Sequence, residues 1–397
     1  MPMSTSTAHK KLKILMVHPH DIYSTVEPWT IRITSIATAL SRLGHDVKLV
    51  YFPLDEKHRG IVRPKFSEFE TIPYLRRRVD IPINILKMTK LAMWADIIHF
   101  QKCYPEAALP AVVAAYLTGK HLHYDWDDWE YQIFFLPSPS GKPILKTESF
   151  LLKILEGTLP KLADTISVAS NELMDMATKL GVKKNRMIKV NVCADLERFN
   201  PANEIGDVLH RYGLSQPIVT YLGQLHGAQY AELFLHAAKN LSTKFPKVNF
   251  LIIGGGDDLT RLKELAARLG MKNKIKFTGF VSDKDVNQLL AATDIAVACF
   301  TDTKQQRCKS PLKIAEYMAS GKAVVASNVG EVPWMIGDAG ITVTPSSHIA
   351  LSEGILRLLN NKSERQLLQT KARARAEKIF NWKTAAKKII KVYESGT

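Results

Sequence analysis

A helix that begins at a Ser-Pro turn aims its free backbone amides at whatever lies in front of it, and the stretch Ser310-Pro311-Leu312-Lys313-Ile314-Ala315-Glu316 has that form. A diphosphate is the guest that suits such a site. Glu316 falls one to two turns further along the same helix, within reach of ribose hydroxyls while the amides hold phosphate. A carboxylate there is otherwise a solvated helix residue, but the run around it is apolar and small. Lys309, Lys313 and Arg307 bring positive charge close by in sequence. Two other stretches end an apolar run in glycine, Leu222-Gly223-Gln224 and Ile253-Gly254-Gly255-Gly256. Glycine lets a backbone turn tightly and lets a phosphate or sugar approach; strand ends also use it for geometry alone.

A second concentration of chemistry lies in the first half. His123-Tyr124-Asp125-Trp126-Asp127-Asp128-Trp129-Glu130 gathers four carboxylates and two tryptophans after an apolar strand, where an acidic surface loop capped by tryptophans is the bland alternative. His99 stands at another strand end, as a structural histidine also would. The stretch His18 to Thr30 contains Glu27 and Trp29, and Arg32 follows on the next helix.

Elements that alternate strand and helix are needed to bring these residues to one side. Lys13 to Val17, Val47 to Tyr51, Asp96 to Phe100, Leu122 to Tyr124 and Thr165 to Val168 read as strands of a first unit. Ile218 to Gly223, Phe250 to Gly254, Ile275 to Phe277, Ile295 to Ala298 and Ala323 to Ala326 read as strands of a second. The pattern predicts an α/β chain with two doubly wound parallel sheets, residues 1–205 and 206–378, joined near Asn200 to Pro217. A last helix, residues 379–397, has no strand after it. In such sheets ligands bind beyond the carboxyl ends of the strands, which is where the residues above fall.

The 397 residues are too many for one ordinary core, and 46% hydrophobic with 23% charged residues speaks against disorder. Cys103, Cys193, Cys299 and Cys308 form no CxxC pair, which fits free thiols in a reducing compartment. The first 13 residues show no secretory signal, and the longest apolar helical stretch, Ala107 to Leu117, falls short of the roughly 20 residues of a membrane span. The expectation is a cytoplasmic chain. Its net charge of +16 attracts polyanions. No zinc-finger spacing, RNA-binding aromatic signature or arginine-rich arm accompanies the charge, so nucleic acid is not the expected partner. Anionic lipid is better placed, because Arg76-Arg77-Arg78 precedes Ile81 to Leu91, which can form an amphipathic helix. The apolar face of that helix is expected to lie on the sheet, leaving the arginines for the membrane.

The run Ser310 to Ala326 resembles the donor-site signature of retaining glycosyltransferases of family 4, which share the two-domain fold called GT-B. Leu43-Gly44-His45-Asp46-Val47, Asp96 to His99, Asp195 to Pro201, Tyr221 to Gly223, Ile253 to Gly256 and Phe277 to Val281 occur in the family's order and cover nearly the whole chain. The resemblance implies two Rossmann-like domains facing a cleft, with the C-terminal helix crossing back to the first. It implies a nucleotide-diphosphate sugar as donor and a saccharide or lipid-linked acceptor, in polysaccharide or glycolipid synthesis, with no cofactor required. Gly223, Gln224, Gly254 and Gly255 would line the donor, Phe280 and Val281 frame the base, and Ser310, Pro311 and Leu312 cradle the diphosphate. Glu316 would bind ribose. Asp125 and Asp127 are the choices for orienting the transferred sugar and engaging the acceptor hydroxyl, with His99 beside them, and Glu27, Trp29 and Arg32 for the acceptor. Asp125-Trp126-Asp127 is similar to a metal-binding motif of glycosyltransferases with a different fold, and no metal is expected here.

The chain departs from the family in three places. Cys308 stands where many members carry the first of two glutamates, and Gln224 and Gln229 stand where arginine and lysine commonly neutralise the diphosphate. These leave open a non-catalytic relative acting as a binding or assembly partner. A nucleotide-sugar epimerase on the same fold is the other alternative.

Overall fold

In Lys13–Val17 (β1), Ile14 and Met16 enter one core while Leu15 and Val17 enter another. A strand apolar on both faces requires cover on both faces, and a parallel sheet between helices supplies it. A computed structural model describes residues 10–24, 27–55, 66–133, 146–225 and 229–395. Its first sheet adds Asp46–Tyr51 (β2), Glu70–Pro73 (β3), Ile97–Gln101 (β4), His121–Trp126 (β5), Thr165–Val168 (β6) and Met187–Lys189 (β7). The order is β3-β2-β1-β4-β5-β6-β7, all pairs parallel.

The second sheet repeats the plan with Ile218–Leu222 (β8), Asn249–Ile253 (β9), Ile275–Phe277 (β10), Ile295–Ala298 (β11), Ala323–Ser327 (β12) and Gly340–Val343 (β13). Its order is β10-β9-β8-β11-β12-β13, again parallel. Strand order reverses between β1 and β4 and between β8 and β11, the switch points at which open sheets bind ligands. The doubly wound α/β architecture is therefore present twice.

The short edge strands β3, β7 and β13 were not expected from sequence. Each has three or four residues and mixed burial, too little for an apolar run to stand out. Strand β5 runs longer than expected, through Trp126, because Gln101 pairs with Asp125 and Val168 with Trp126. Asp125 is thus a strand residue and not the first residue of a loop.

The last helix, Trp382–Ser395, lies against the first, Ile31–Arg42. Tyr393 and His99 Nδ1 share a 2.6 Å hydrogen bond. One apolar core passes from this pair of helices through Val190, Cys193, Ala194 and Phe199 into the second sheet's helices. Among the described residues no helix is long and apolar enough to cross a membrane.

Candidate functional site

The helix Leu312–Ala319 starts after Pro311, whose extended backbone ends the approach to it. Lys313 reaches from its first turn to Gly223 at the end of β8. A β-carbon on Gly223 would stand 2.7 Å from Lys313 Nζ, and one on Gly254 would stand 2.1 Å from the Gly223 carbonyl oxygen. At Gly254 the backbone of the neighbouring strand end leaves no room for a side chain, whereas at Gly223 the close neighbour is the movable tip of Lys313. Gly223 N donates to Ile253 O at 3.0 Å and Leu225 N to Gly255 O at 2.9 Å, closing the loops side by side. Phe280 is 76% exposed with its ring over Gly255, Val281 is half-buried beside it, and Gln224 is exposed. Glu316 lies one turn beyond Lys313 on the same helix. Burial pushes its carboxyl up to about 7, against the opposing pull of Arg198 and Lys313.

The Ser310 side chain is engaged on the first half. Its hydroxyl accepts from Val192 N at 3.1 Å, tying the helix start to the chain that leaves the first sheet. Lys309 Nζ pairs with Asp128 at 3.2 Å, so the two halves meet across the cleft through opposite charges. Cys308 is fully buried, with Sγ 3.8 Å from Met176 Sδ in the core of the first domain. Burial raises its thiol far above the ordinary range. It is an apolar contact between the halves. Gln229 begins the helix Gln229–Lys244; its side chain lies outside the described residues.

In the first half the acidic segment divides into two environments. Asp125 is fully buried and accepts from Arg32 Nε and Nη2, both at 2.7 Å, and from the Ser167 hydroxyl at 2.5 Å. Burial would raise its carboxyl, but the Arg32 charge and hydrogen bonds outweigh that and hold it below the ordinary value. Arg32 Nη1 also donates to Val190 O at 2.7 Å. His99 Nε2 is 4.0 Å from Asp125, and burial holds its ring down to about 4, hence neutral. With Ser167, these three residues form an interior knot that joins β4, β5, β6 and the first helix.

Asp127 lies beyond the strand, accepting from Gln101 Nε2 at 2.7 Å with Lys102 Nζ at 3.3 Å. Burial pushes its carboxyl up to about 6, with Lys102 opposing. Lys102 has φ +67°, a left-handed conformation uncommon for a side-chain residue, which turns its ammonium between Asp127 and Glu130. Buried His18 and His20 stack edge to face beside this group, with ring centroids 5.3 Å apart. Glu156, on the helix Lys146–Leu162, accepts from Trp126 Nε1 at 3.0 Å, Glu130 N at 2.8 Å and Tyr131 N at 2.9 Å, and so holds the loop in place. Sequence reasoning missed Gln101, Lys102, His18 and Glu156. The polar Gln101-Lys102 pair ending an apolar strand was the one available signal.

Glu27, Trp29 and Arg32 are not gathered into one surface. Glu27 is buried, accepting from Arg76 Nη2 at 2.6 Å and from Asp21 N at 2.8 Å, with His20 Nδ1 at 3.2 Å. Burial alone would raise it, and these hydrogen bonds instead hold it at about 2. Trp29 is 44% exposed, edge to face with His20 at 5.0 Å. Arg32 is interior.

The division expected for residues 76–91 is reversed. Arg76 turns inward to Glu27 and Arg77 pairs with Asp80 at 3.0 Å. Part of the apolar face is exposed instead: Val79 is 77%, Leu86 67% and Ile83 41% accessible. Asn84, Met88 and Ala92 alone make the buried stripe of the helix Ile81–Ala92, too narrow to cover its remaining apolar residues. No group of three or more metal-ligating side chains occurs among the described residues.

Comparison with known proteins gives the same outline. The family described as glycosyl transferases group 1 matches residues 211–375. MMP alpha-(1->4)-mannosyltransferase of Mycolicibacterium hassiacum is 25% identical over 257 residues, 64% of this chain and 59% of that protein. O-antigen chain mannosyltransferase B of Escherichia coli is 30% identical over 194 residues, 47% of this chain and 48% of that protein. The chain thus aligns with about three-fifths or less of these relatives' length. Among solved structures, sucrose-phosphate synthase from Thermosynechococcus elongatus superposes with a TM-score of 0.73 at 17% identity, covering 97% of this chain and 98% of that one. Anabaena HepE in complex with UDP and glucose superposes at 0.72 and 19% identity, covering 97% and 100%. With these likenesses running the length of both sheets, the chain has the GT-B fold, and its residues 211–375 match the family glycosyl transferases group 1.

Proposed function

We propose that the chain is a retaining family 4 glycosyltransferase that moves a sugar from a nucleotide-diphosphate sugar to a saccharide or lipid-linked acceptor. The observation that carries this reading is the convergence of Gly223, Gly254, Lys313 and the start of the helix Leu312–Ala319, with Glu316 one turn behind. Amides and positive charge there stabilise the charge that grows on the departing diphosphate. The cleft excludes water that would otherwise hydrolyse the donor. Base contacts fall to Phe280 and Val281. That HepE is described with UDP and with UDP-glucose supports a uridine donor.

Asp127 is the carboxylate best placed to meet the acceptor hydroxyl, since Asp125 is committed to Arg32 and acts by positioning β5. That commitment also argues against a metal held by the Asp125-Trp126-Asp127 sequence. Exposed Val79, Ile83 and Leu86, with Arg77, Lys87 and Lys90 around them, suit the cytoplasmic face of an anionic membrane and support a lipid-linked acceptor.

The test is turnover of a panel of UDP-, GDP- and ADP-sugars, with product anomers read by NMR, for the wild type and E316A. Transfer with retained configuration is expected, reduced about tenfold to a hundredfold in E316A through loss of charge-assisted bonds to ribose. Nucleotide binding without turnover would favour a binding partner, to which Cys308 and Gln224 already point. Sugar isomerisation without acceptor would indicate an epimerase.

A further inference from the structure

Around the start of the helix Leu312–Ala319, three cations are engaged by carboxylates. Lys309 pairs with Asp128 at 3.2 Å and Arg307 with Asp302 at 2.6 Å. Arg198, whose charge acts on Glu316, pairs with Asp283 at 3.0 Å. Lys313 has no ion pair among the described residues. Its ammonium lies 4.2 Å from the centroid of the Tyr221 ring and 5.8 Å from that of Phe300. Ring faces attract a cation but return much less than a carboxylate does. Tyr221 and Phe300 also fix its direction, since they leave the ammonium pointing at Gly223, where a β-carbon would stand 2.7 Å away.

Positive charge is thus delivered to the end of β8 from the helix, while the residue following Gly223 is the uncharged Gln224. We propose that Lys313 is the counter-ion of the donor's diphosphate, replacing from the helix the cations that Gln224 and Gln229 lack. This rests on the donor-site reading above. Desolvation lowers the Lys313 ammonium to about 8, with Cys299 and Glu316 opposing, so an arriving anion stabilises its charged form. A cation held on aromatic faces and short of an anionic partner is preorganised for one.

The experiment titrates UDP, GDP and ADP, and uridine, guanosine and adenosine, into wild type, K313M, K313R and E316A, with affinities read by calorimetry and ligand-observed NMR. K313M is expected to weaken the best diphosphate by about tenfold or more while its nucleoside changes by less than about twofold. K313R is expected to recover most of the loss. Circular dichroism checks that K313M is folded, and K313Q replaces it in the same comparison if it is not. Diphosphate binding unchanged in K313M but lost in E316A would overturn the assignment of Lys313 and leave the donor site standing. No binding of any nucleotide by the wild type would remove the donor-site reading itself.

Discussion

Arg32 and Asp125 lie 93 positions apart and meet in a two-pronged ion pair with almost no exposure. Desolvating both charges is costly, and the remaining bonds to Val190 O and Ser167 offset that cost. Removing one partner strands the other. R32M is therefore expected to lose about 3–5 kcal/mol in chemical denaturation, and R32M/D125L to recover most of it. A loss below about 1 kcal/mol in R32M would show that the pair does not anchor the sheet. Asp125 and Asp127, which the sequence placed side by side as site carboxylates, are separated at this scale because one lies inside β5 and the other just past its end.

The backbone of the loop that follows β5 is tied to the helix Lys146–Leu162 through one carboxyl. Glu156 receives three N–H donors, yet burial still pushes it up to about 8. A carboxyl whose folded value lies above its unfolded one binds its proton more tightly when folded. Stability from Glu156 is thus full below about pH 4.5 and is lost as pH rises towards about 8. In E156Q the difference in Tm between pH 5 and pH 8 is expected to shrink relative to wild type, since other titrating groups contribute equally to both proteins. The loop is also expected to loosen, because the amide offers one acceptor oxygen where the carboxyl offers two. An unchanged pH dependence would mean that Glu156 is ionised in the fold. Elements of this kind were legible where their apolar runs were long. The three-residue strand β7 was not, because pairing with β6 creates it.

Across the whole molecule the two sheets are joined by polar contacts concentrated on Glu331. This buried carboxylate accepts from Asn171 N at 2.8 Å, Lys189 Nζ at 2.6 Å and Asn191 Nδ2 at 2.9 Å, all from the first half. Lys189 also lies 3.6 Å from the centroid of the Trp334 ring. E331A is expected to shift the domains apart, read as a larger radius of gyration in small-angle scattering. In the proposed reaction it should lower kcat with donor affinity largely kept, since the Lys313 site belongs to one half alone. Equal scattering and equal kcat would show that the continuous apolar core, and not Glu331, sets the closure.

Two doubly wound units and their order were determined by sequence alone, and the sequence also marked Gly223, Gly254 and the Ser310-Pro311 helix start as places to look, because glycine punctuation, apolar runs and a Ser-Pro helix start are local features. Partnership was not local. That Arg32 serves Asp125, that Glu27 is closed by Arg76, that Cys308 is packed against Met176 and that the Lys313 ammonium lies over the Tyr221 ring with no ion pair among the described residues all depend on chain segments brought together across many residues. Only tertiary structure decides which charges are paired and which remain available, because burial and distance set that outcome and residue type does not.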